Sequence, residues 1–212
     1  NGRPMWFVNA DADDREENTL PESAFEDPLG SGKQVTSDYT DAERKRLGNA
    51  LPKVYGGVNY ELAYKNFDLN FYLYYSYGGK AYNSDYVANM HDGTQSGTNL
   101  AVDAANAWTP NNRYTEVPRY VINNTDQSEQ MSSRFIEDAS YLRFKNINLS
   151  YQLPESICKS WKLNSFRAYV SAENIITFTK FKGFDPEVAI NGTTNNNIPG
   201  VKVVTVGFKI EL

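Results

Sequence analysis

From Lys53 onward the chain alternates between unlike side chains. Val54, Gly56, Val58, Tyr60, Leu62 and Tyr64 fall on one side, and Tyr55, Gly57, Asn59, Glu61 and Ala63 on the other. After Lys65-Asn66 the pattern restarts, with Phe67, Leu69, Phe71, Leu73, Tyr75 and Tyr77 set against Asp68, Asn70, Tyr72, Tyr74 and Ser76. A period of two is the mark of a strand with one apolar face, and two such runs joined by a short polar link predict a β-hairpin. A third run over 140–153 places Tyr141, Ile147, Leu149, Tyr151 and Leu153 on one face. Strict alternation also puts Arg143 and Lys145 there, and Pro154 ends the run. A fourth, over 164–177, sets Phe166, Ala168, Val170 and Ala172 opposite Arg167, Tyr169, Ser171 and Glu173. The fifth sets Val204, Val206, Phe208, Ile210 and Leu212 against Val203, Thr205, Gly207, Lys209 and Glu211.

Connections between these runs are unequal. The links at 65–66 and 154–163 are short, whereas 80–139 and 178–200 are long excursions. A structureless connection as long as 80–139 is foreign to a small compact domain. Short turns at one end and long loops at the other are the habit of outer-membrane barrels. Residues 1–50 have few periodic apolar positions and several breakers, including Pro4, Pro21, Pro28, Gly30 and Gly32. They read as a further excursion with one short helix near 40–47, signalled by the capping-box spacing of Thr40 and Glu43 and by Gly48 at its end.

The predicted strands are long enough to cross a bilayer, which takes roughly 9–11 tilted residues. Their second face carries Glu61, Asp68, Asn70, Arg167, Glu173, Lys209 and Glu211, suited to a wet lumen. The expected fold class is therefore all-β, the C-terminal part of a large antiparallel transmembrane barrel with long extracellular loops. The expected organisation is an excursion over 1–50 followed by five barrel strands within 51–212. Five strands cannot close on themselves, and a spanning sheet must close to pair every lipid-exposed backbone group. The chain also opens at Asn1 without an initiator methionine, and it reads as a piece of something longer. The alternative is a soluble or surface-attached β-sandwich that binds glycans without transport; it would alternate too, but with shorter strands.

Composition narrows the chemistry. The 212 residues carry a net charge of −5, all of it within residues 1–50, which disfavours nucleic acid as a partner. Fifteen tyrosines fit strands and membrane boundaries. Those near strand ends on the apolar face (Tyr60, Tyr64, Tyr75, Tyr77, Tyr151) suit an aromatic girdle. Tyr55, Tyr72, Tyr74 and Tyr169 face the other way, to stack on a ligand or to pack. The single Cys158 excludes an internal disulfide, and His91 alone cannot furnish a multi-histidine metal site.

Several motifs fail on inspection. Gly30-Ser31-Gly32-Lys33 has Asp27 where a phosphate loop needs glycine and Gln34 where it needs Ser or Thr, so it reads as a loop. Asp11-Ala12-Asp13-Asp14 starts like a calcium loop, but Arg15 occupies a ligand position, and a solvated acidic loop is the better reading. His91 reads as a surface-loop histidine with no nucleophile or orienting partner in sight. The glycosylation-type triplets at Asn123, Asn148 and Asn191 are chance matches in an asparagine-rich chain. No catalytic, cofactor-binding or metal-ligating residue is assigned, no substrate-binding residue is named, and the chain is not expected to be an enzyme.

One stretch is more specific. Ala139-Ser140-Tyr141-Leu142-Arg143-Phe144-Lys145-Asn146-Ile147-Asn148-Leu149-Ser150-Tyr151-Gln152-Leu153-Pro154 resembles a segment near the C-terminus of SusC/RagA-type TonB-linked outer-membrane proteins. Ser171–Phe178 and Gly183-Phe184-Asp185-Pro186-Glu187 resemble that family's next strand and its GxDPE loop. Gly48–Lys53 with Tyr64–Leu69, and Pro199-Gly200 with Val204–Phe208, resemble its preceding hairpin and closing strand. The resemblance spans about 48–212 and implies a 22-stranded barrel filled by an N-terminal plug. It implies a Bacteroidetes-like cell outer membrane, a SusD-like surface lipoprotein as partner, and import of an oligosaccharide or peptide driven by TonB–ExbB–ExbD through parts outside this sequence. It implies no cofactor.

Overall fold

The computed structural model describes residues 2–8, 19–95, 97–189 and 191–212; the acidic run Asp11–Asp14 lies outside the described residues. The chain divides into two compact units, residues 1–47 with 84–136, and residues 48–83 with 137–212. Most of the stretch 80–139 belongs to the same unit as the N-terminal segment.

Five long strands make the second unit: β1 (Val54–Tyr64), β2 (Phe67–Tyr77), β3 (Tyr141–Gln152), β4 (Ser165–Thr179) and β5 (Val203–Glu211). They form one antiparallel sheet in the order β5-β4-β3-β2-β1, so chain neighbours are sheet neighbours throughout. At about 3.4 Å per residue, the eleven residues of β1 extend over about 34 Å, which a 45° tilt turns into roughly 24 Å of membrane depth. Lys65, with φ 52°, makes the tight β1–β2 turn. The side-chain amide of Asn66 donates to the carbonyl of Gln152 at 2.6 Å, tying that turn to the end of β3. A short helix, α1 (Glu155–Ser160), fills the link from β3 to β4.

Alternation holds along β1, β2 and β5 but slips in β3 and β4. The pairing of β2 with β3 shifts between Tyr72 and Leu73, and that of β3 with β4 between Phe144 and Asn146. Against β2 the extra residue is Lys145 on β3; against β3 the extra residue lies on β4, where Asn174 (φ 52°) and Ile175 face Lys145 alone. Above it, Leu142 and Phe144 stand opposite Tyr75 and Leu73, while Tyr141 and Arg143 stand opposite Ser76 and Tyr74. The sequence expectation that Arg143 and Lys145 share the apolar face is therefore corrected: a β-bulge changes the parity of the strand and turns both cations to the polar side.

The apolar face is uncovered. Val58, Tyr60, Leu62, Val204, Val206 and Phe208 are 48–66% exposed. A sandwich would bury these side chains against a second sheet, and in this unit they line a single open one. Aromatic pairs knit the face laterally: Tyr60 with Phe71 at 5.3 Å, Phe67 with Tyr151 at 4.6 Å and Phe166 with Phe208 at 5.9 Å between ring centroids. What buried core this unit has lies among its connections, where Ala81, Phe181 and Ala189 pack together with Ala139.

The first unit contains a small sheet in which Gln34–Thr36 pairs with both Trp6–Phe7 and Ala24–Glu26. Gly30-Ser31-Gly32-Lys33 closes the hairpin between the last two strands, where Asp27 accepts the amides of Leu29 and Gly30 on its side chain and carbonyl. The helix expected near 40–47 is a single 3₁₀ turn at Tyr39–Asp41. Asp38, not Thr40, caps it by accepting both the amide and the hydroxyl of Thr40. The Glu43 amide is drawn to the carbonyl of Phe7, and Ala42 bridges Val8, so the chain leaves as an extended segment.

Candidate functional site

The polar face of the sheet is built by strand parity. Tyr55, Gly57, Asn59, Glu61, Asp68, Asn70, Asn148, Ser150, Arg167 and Tyr169 lie on it, and their polar groups are largely spent on one another. The amides of Asn59 and Asn70 donate to Glu61 at 3.3 and 3.0 Å, and Arg167 reaches Asp68 at 2.7 Å. Lys209 pairs with Glu211 at 2.9 Å, and the Ser165 hydroxyl donates to the same carboxylate. This is a hydrated, self-paired wall.

Two of the tyrosines on this face have a structural task. A Cβ at Gly57 would lie 2.2 Å from the Tyr72 hydroxyl oxygen, and one at Gly207 would lie 2.3 Å from the Tyr169 ring. Each ring lies over a glycine of the neighbouring strand, covering backbone the glycine leaves bare. Tyr72 and Tyr169 thus pack over the backbone of the neighbouring strand.

At the upper end of the face the chemistry changes. Arg143 and Asp185 are each about 4% exposed and meet at 2.5 Å. The second terminal nitrogen of Arg143 donates to Glu187 at 2.6 Å, its Nε donates to Thr177, and Lys145 also pairs with Glu187. Asp185 additionally accepts the amides of Glu187 and Gly200. Burial pushes the Asp185 carboxyl up, but the bonds from Arg143 and those two amides outweigh it and hold the group below its ordinary value. The Gly183–Glu187 motif is thus a plug of acid inserted over paired cations, and it fixes the 178–200 connection to the sheet. Sequence reasoning missed this cluster. The available signal was two cations assigned to a lipid-facing stripe, where charge is unfavourable in a depth-dependent way.

His91 is 2% exposed, so the surface-histidine expectation is corrected. Its Nδ1 accepts the amide of Gly93 and its Nε2 lies 2.8 Å from the Thr98 hydroxyl, which makes Nε2 the protonated nitrogen. With Nδ1 held by an amide instead of a carboxylate, the ring is a packing group within the loop unit and lacks the orientation of a general base. Among the described residues no cluster of three or more His, Cys, Asp or Glu side chains could hold a metal ion, and no helix is long and apolar enough to cross a membrane.

No family model matches the chain. Individual proteins do. The chain is 35% identical over 198 residues to TonB-dependent receptor P3 of Formosa agariphila, covering 88% of the chain and 18% of that receptor. It is 29% identical over 204 residues to TonB-dependent receptor SusC of Bacteroides thetaiotaomicron, covering 92% and 18%. Among solved structures it superposes on a chain of the RagAB peptide importer in its closed-closed state with a TM-score of 0.76 and 30% identity, covering the whole of this chain and 21% of that one. The chain spans about a fifth of the length of these relatives. The bulged, two-faced sheet and these likenesses agree: the chain is a segment of a SusC/RagA-type TonB-dependent receptor, and its five long strands are part of that receptor's transmembrane barrel.

Proposed function

We infer that the whole protein is an outer-membrane importer of a nutrient, an oligosaccharide or a peptide, in a Gram-negative, Bacteroidetes-like cell. This segment supplies barrel wall and outward-facing loops. The observation that carries the reading is the sheet itself: apolar on an uncovered face, ion-paired on the other, and open at both edges where β1 and β5 await further strands. The role is transport and not catalysis. Substrate would be captured between the loops and a SusD-like lipoprotein, and TonB–ExbB–ExbD would energise its passage through parts outside this segment. The wall described here stays fixed, because its polar side chains are already paired.

The test uses the whole receptor in its own cells. It should fractionate with the outer membrane, need detergent for extraction, and copurify with a surface lipoprotein. Uptake of the nutrient that supports receptor-dependent growth should vanish when either the receptor or TonB is deleted. A receptor recovered folded in aqueous buffer, or uptake indifferent to TonB, would overturn the reading.

A further inference from the structure

The link between β3 and β4 carries a helix with two unlike sides. Trp161 closes α1, and its amide still donates to the carbonyl of Ile157 at 3.1 Å. Ile157 and Trp161 therefore lie one turn apart on the same side. Glu155 and Lys159 pair at 3.4 Å on the other side, about 200° round the helix from Ile157. The helix is not free to roll between the two. Cys158 is buried with its thiol donating to the Leu153 carbonyl at 3.7 Å, and its own carbonyl accepts the Leu163 amide.

Ile157 is 40% exposed and Trp161 61%, so the apolar side is a bare patch. Its place in the fold names its partner. The helix leaves the sheet after Leu153 and the chain returns at Phe166; the Leu153 amide donates to the Phe166 carbonyl, and both residues are in phase with the apolar face. At this same end the apolar face finishes in rings: Tyr64 opposite Phe67, Phe67 against Tyr151, and Phe166 against Phe208. The patch thus continues the lipid-facing surface at the rim where hydrocarbon gives way to headgroups, the depth that favours tryptophan.

Charge at the rim points the same way. Its carboxylates are taken, Glu155 by Lys159, Asp68 by Arg167 and Glu211 by Lys209. Lys65 and Lys162 are exposed and stand outside those pairs, Lys65 with its ammonium 5.3 Å from the Tyr64 ring centroid. A bare apolar pair beside unspent cations matches an anionic phospholipid surface.

We propose that α1 is an anchor in the membrane surface at the short-turn end of the barrel, with Ile157 and Trp161 at the boundary of acyl chains and headgroups and with Lys162 and Lys65 on anionic phospholipid phosphates. The anchor fixes the depth of β3 and β4 in the bilayer. It rests on the barrel placement of the strands and is independent of what the receptor imports.

The test is photocrosslinking of the whole receptor in vesicles of phosphatidylethanolamine and phosphatidylglycerol. p-Benzoylphenylalanine replaces Trp161, Ile157, Glu155 or Lys159, one at a time, and adducts are identified by mass spectrometry. Lipid adducts should be several-fold more abundant from positions 161 and 157 than from 155 and 159. Phosphatidylglycerol should exceed its share of the vesicle among the adducts at 161, and Lys162→Gln with Lys65→Gln should return it to that share. If the probe lowers the yield of folded receptor, amide exchange over 155–163 decides: it should slow several-fold when the unsubstituted receptor passes from neutral detergent into these vesicles, and Trp161→Ser should abolish the slowing. Equal lipid adducts from the two sides, adducts from 161 to the receptor's own chain, or exchange indifferent to the vesicles would overturn the anchor. Phosphatidylglycerol at its bulk share in the parent receptor would overturn the role of the lysines.

Discussion

The two units of this chain are stabilised by opposite means. In the strand unit nearly every side chain of the five strands is at least partly exposed, and order comes from long backbone ladders plus lateral aromatic pairs. The loop unit has little regular structure, yet it buries Phe135, Met90, His91, Thr36 and Asn124 almost completely. A sheet whose apolar face meets lipid needs no protein core, because the bilayer accepts that face and only backbone pairing must be internal. A loop assembly in water must bury its own side chains, and with so much irregular backbone it must bury polar ones too. The contrast predicts that the sheet fails when charge is misplaced, and the loop unit when shape is.

The largest effect should come where the strand unit behaves like an interior. Arg143→Met leaves Asp185 buried without its cation, and losing one partner of a buried pair costs about 3–5 kcal/mol. Hydrogen exchange on the whole receptor should show 182–187 and 191–200 deprotected while β1 and β2 are unchanged. Asp185→Asn in the Arg143→Met background should add little, because the two share one interaction. The carboxyl of Asp185 titrates below its ordinary value near 3.8, so its contribution is fully present above that pH and is lost as pH falls through the lower folded value. Protection of the 182–200 connection should therefore be constant from neutral pH down to the ordinary aspartate range and collapse only with further acidification.

Next comes the lipid face. Phe71 sits mid-strand between Tyr60 and Phe144, opposite Tyr60 and Ile147 in the ladder. Phe71→Arg should cost about 2–4 kcal/mol at membrane mid-depth, measured by urea unfolding of the receptor from lipid vesicles. Asn148→Arg, at the same height on the polar face, should cost far less. Equal costs would mean that the two faces do not see different solvents.

The loop unit should break on a single methyl group. Gly93 has φ +111°, and a Cβ there would sit 2.0 Å from the carbonyl oxygen of Val121, which is backbone and cannot swing away. Gly93→Ala combines a strained conformation, about 1–3 kcal/mol, with that clash. It also displaces the amide that His91 accepts and the carbonyl that takes the Asn123 amide. Protease nicking within 90–125 should rise, with the strand unit's exchange pattern intact.

This division also explains what could be read from the sequence. Period-two alternation has one physical cause, so β1, β2, β5 and β4 up to Glu173 were legible with their faces, whereas the longest family resemblance fell on β3. Arg143 was misassigned because one inserted residue, Lys145, reverses parity, and alternation carries no record of a bulge. The short helix near 40–47 failed because Asp38 outcompeted Thr40 as cap and Phe7, remote in sequence, took the Glu43 amide. The burial of His91 was illegible for a related reason: in irregular segments burial is set by which distant loops meet, and no local period encodes it.

The smallest effect is a control on the largest. Lys159 and Glu155 form an i,i+4 pair on α1 at 3.4 Å, with side chains 78% and 86% exposed. On paper it is a salt bridge like Arg143 with Asp185, in the same unit. In water the Coulomb gain is screened and the ordering of two long side chains opposes it, so Lys159→Ala should change stability by no more than about 0.5 kcal/mol. Raising the salt concentration should leave even that difference smaller, while the Arg143→Met deficit, sealed from counterions, should persist. If Lys159→Ala and Arg143→Met unfolded the receptor to similar extents, burial would not be what distinguishes the acidic plug over β3 from an ordinary surface pair, and its role in fixing the 178–200 connection would fall.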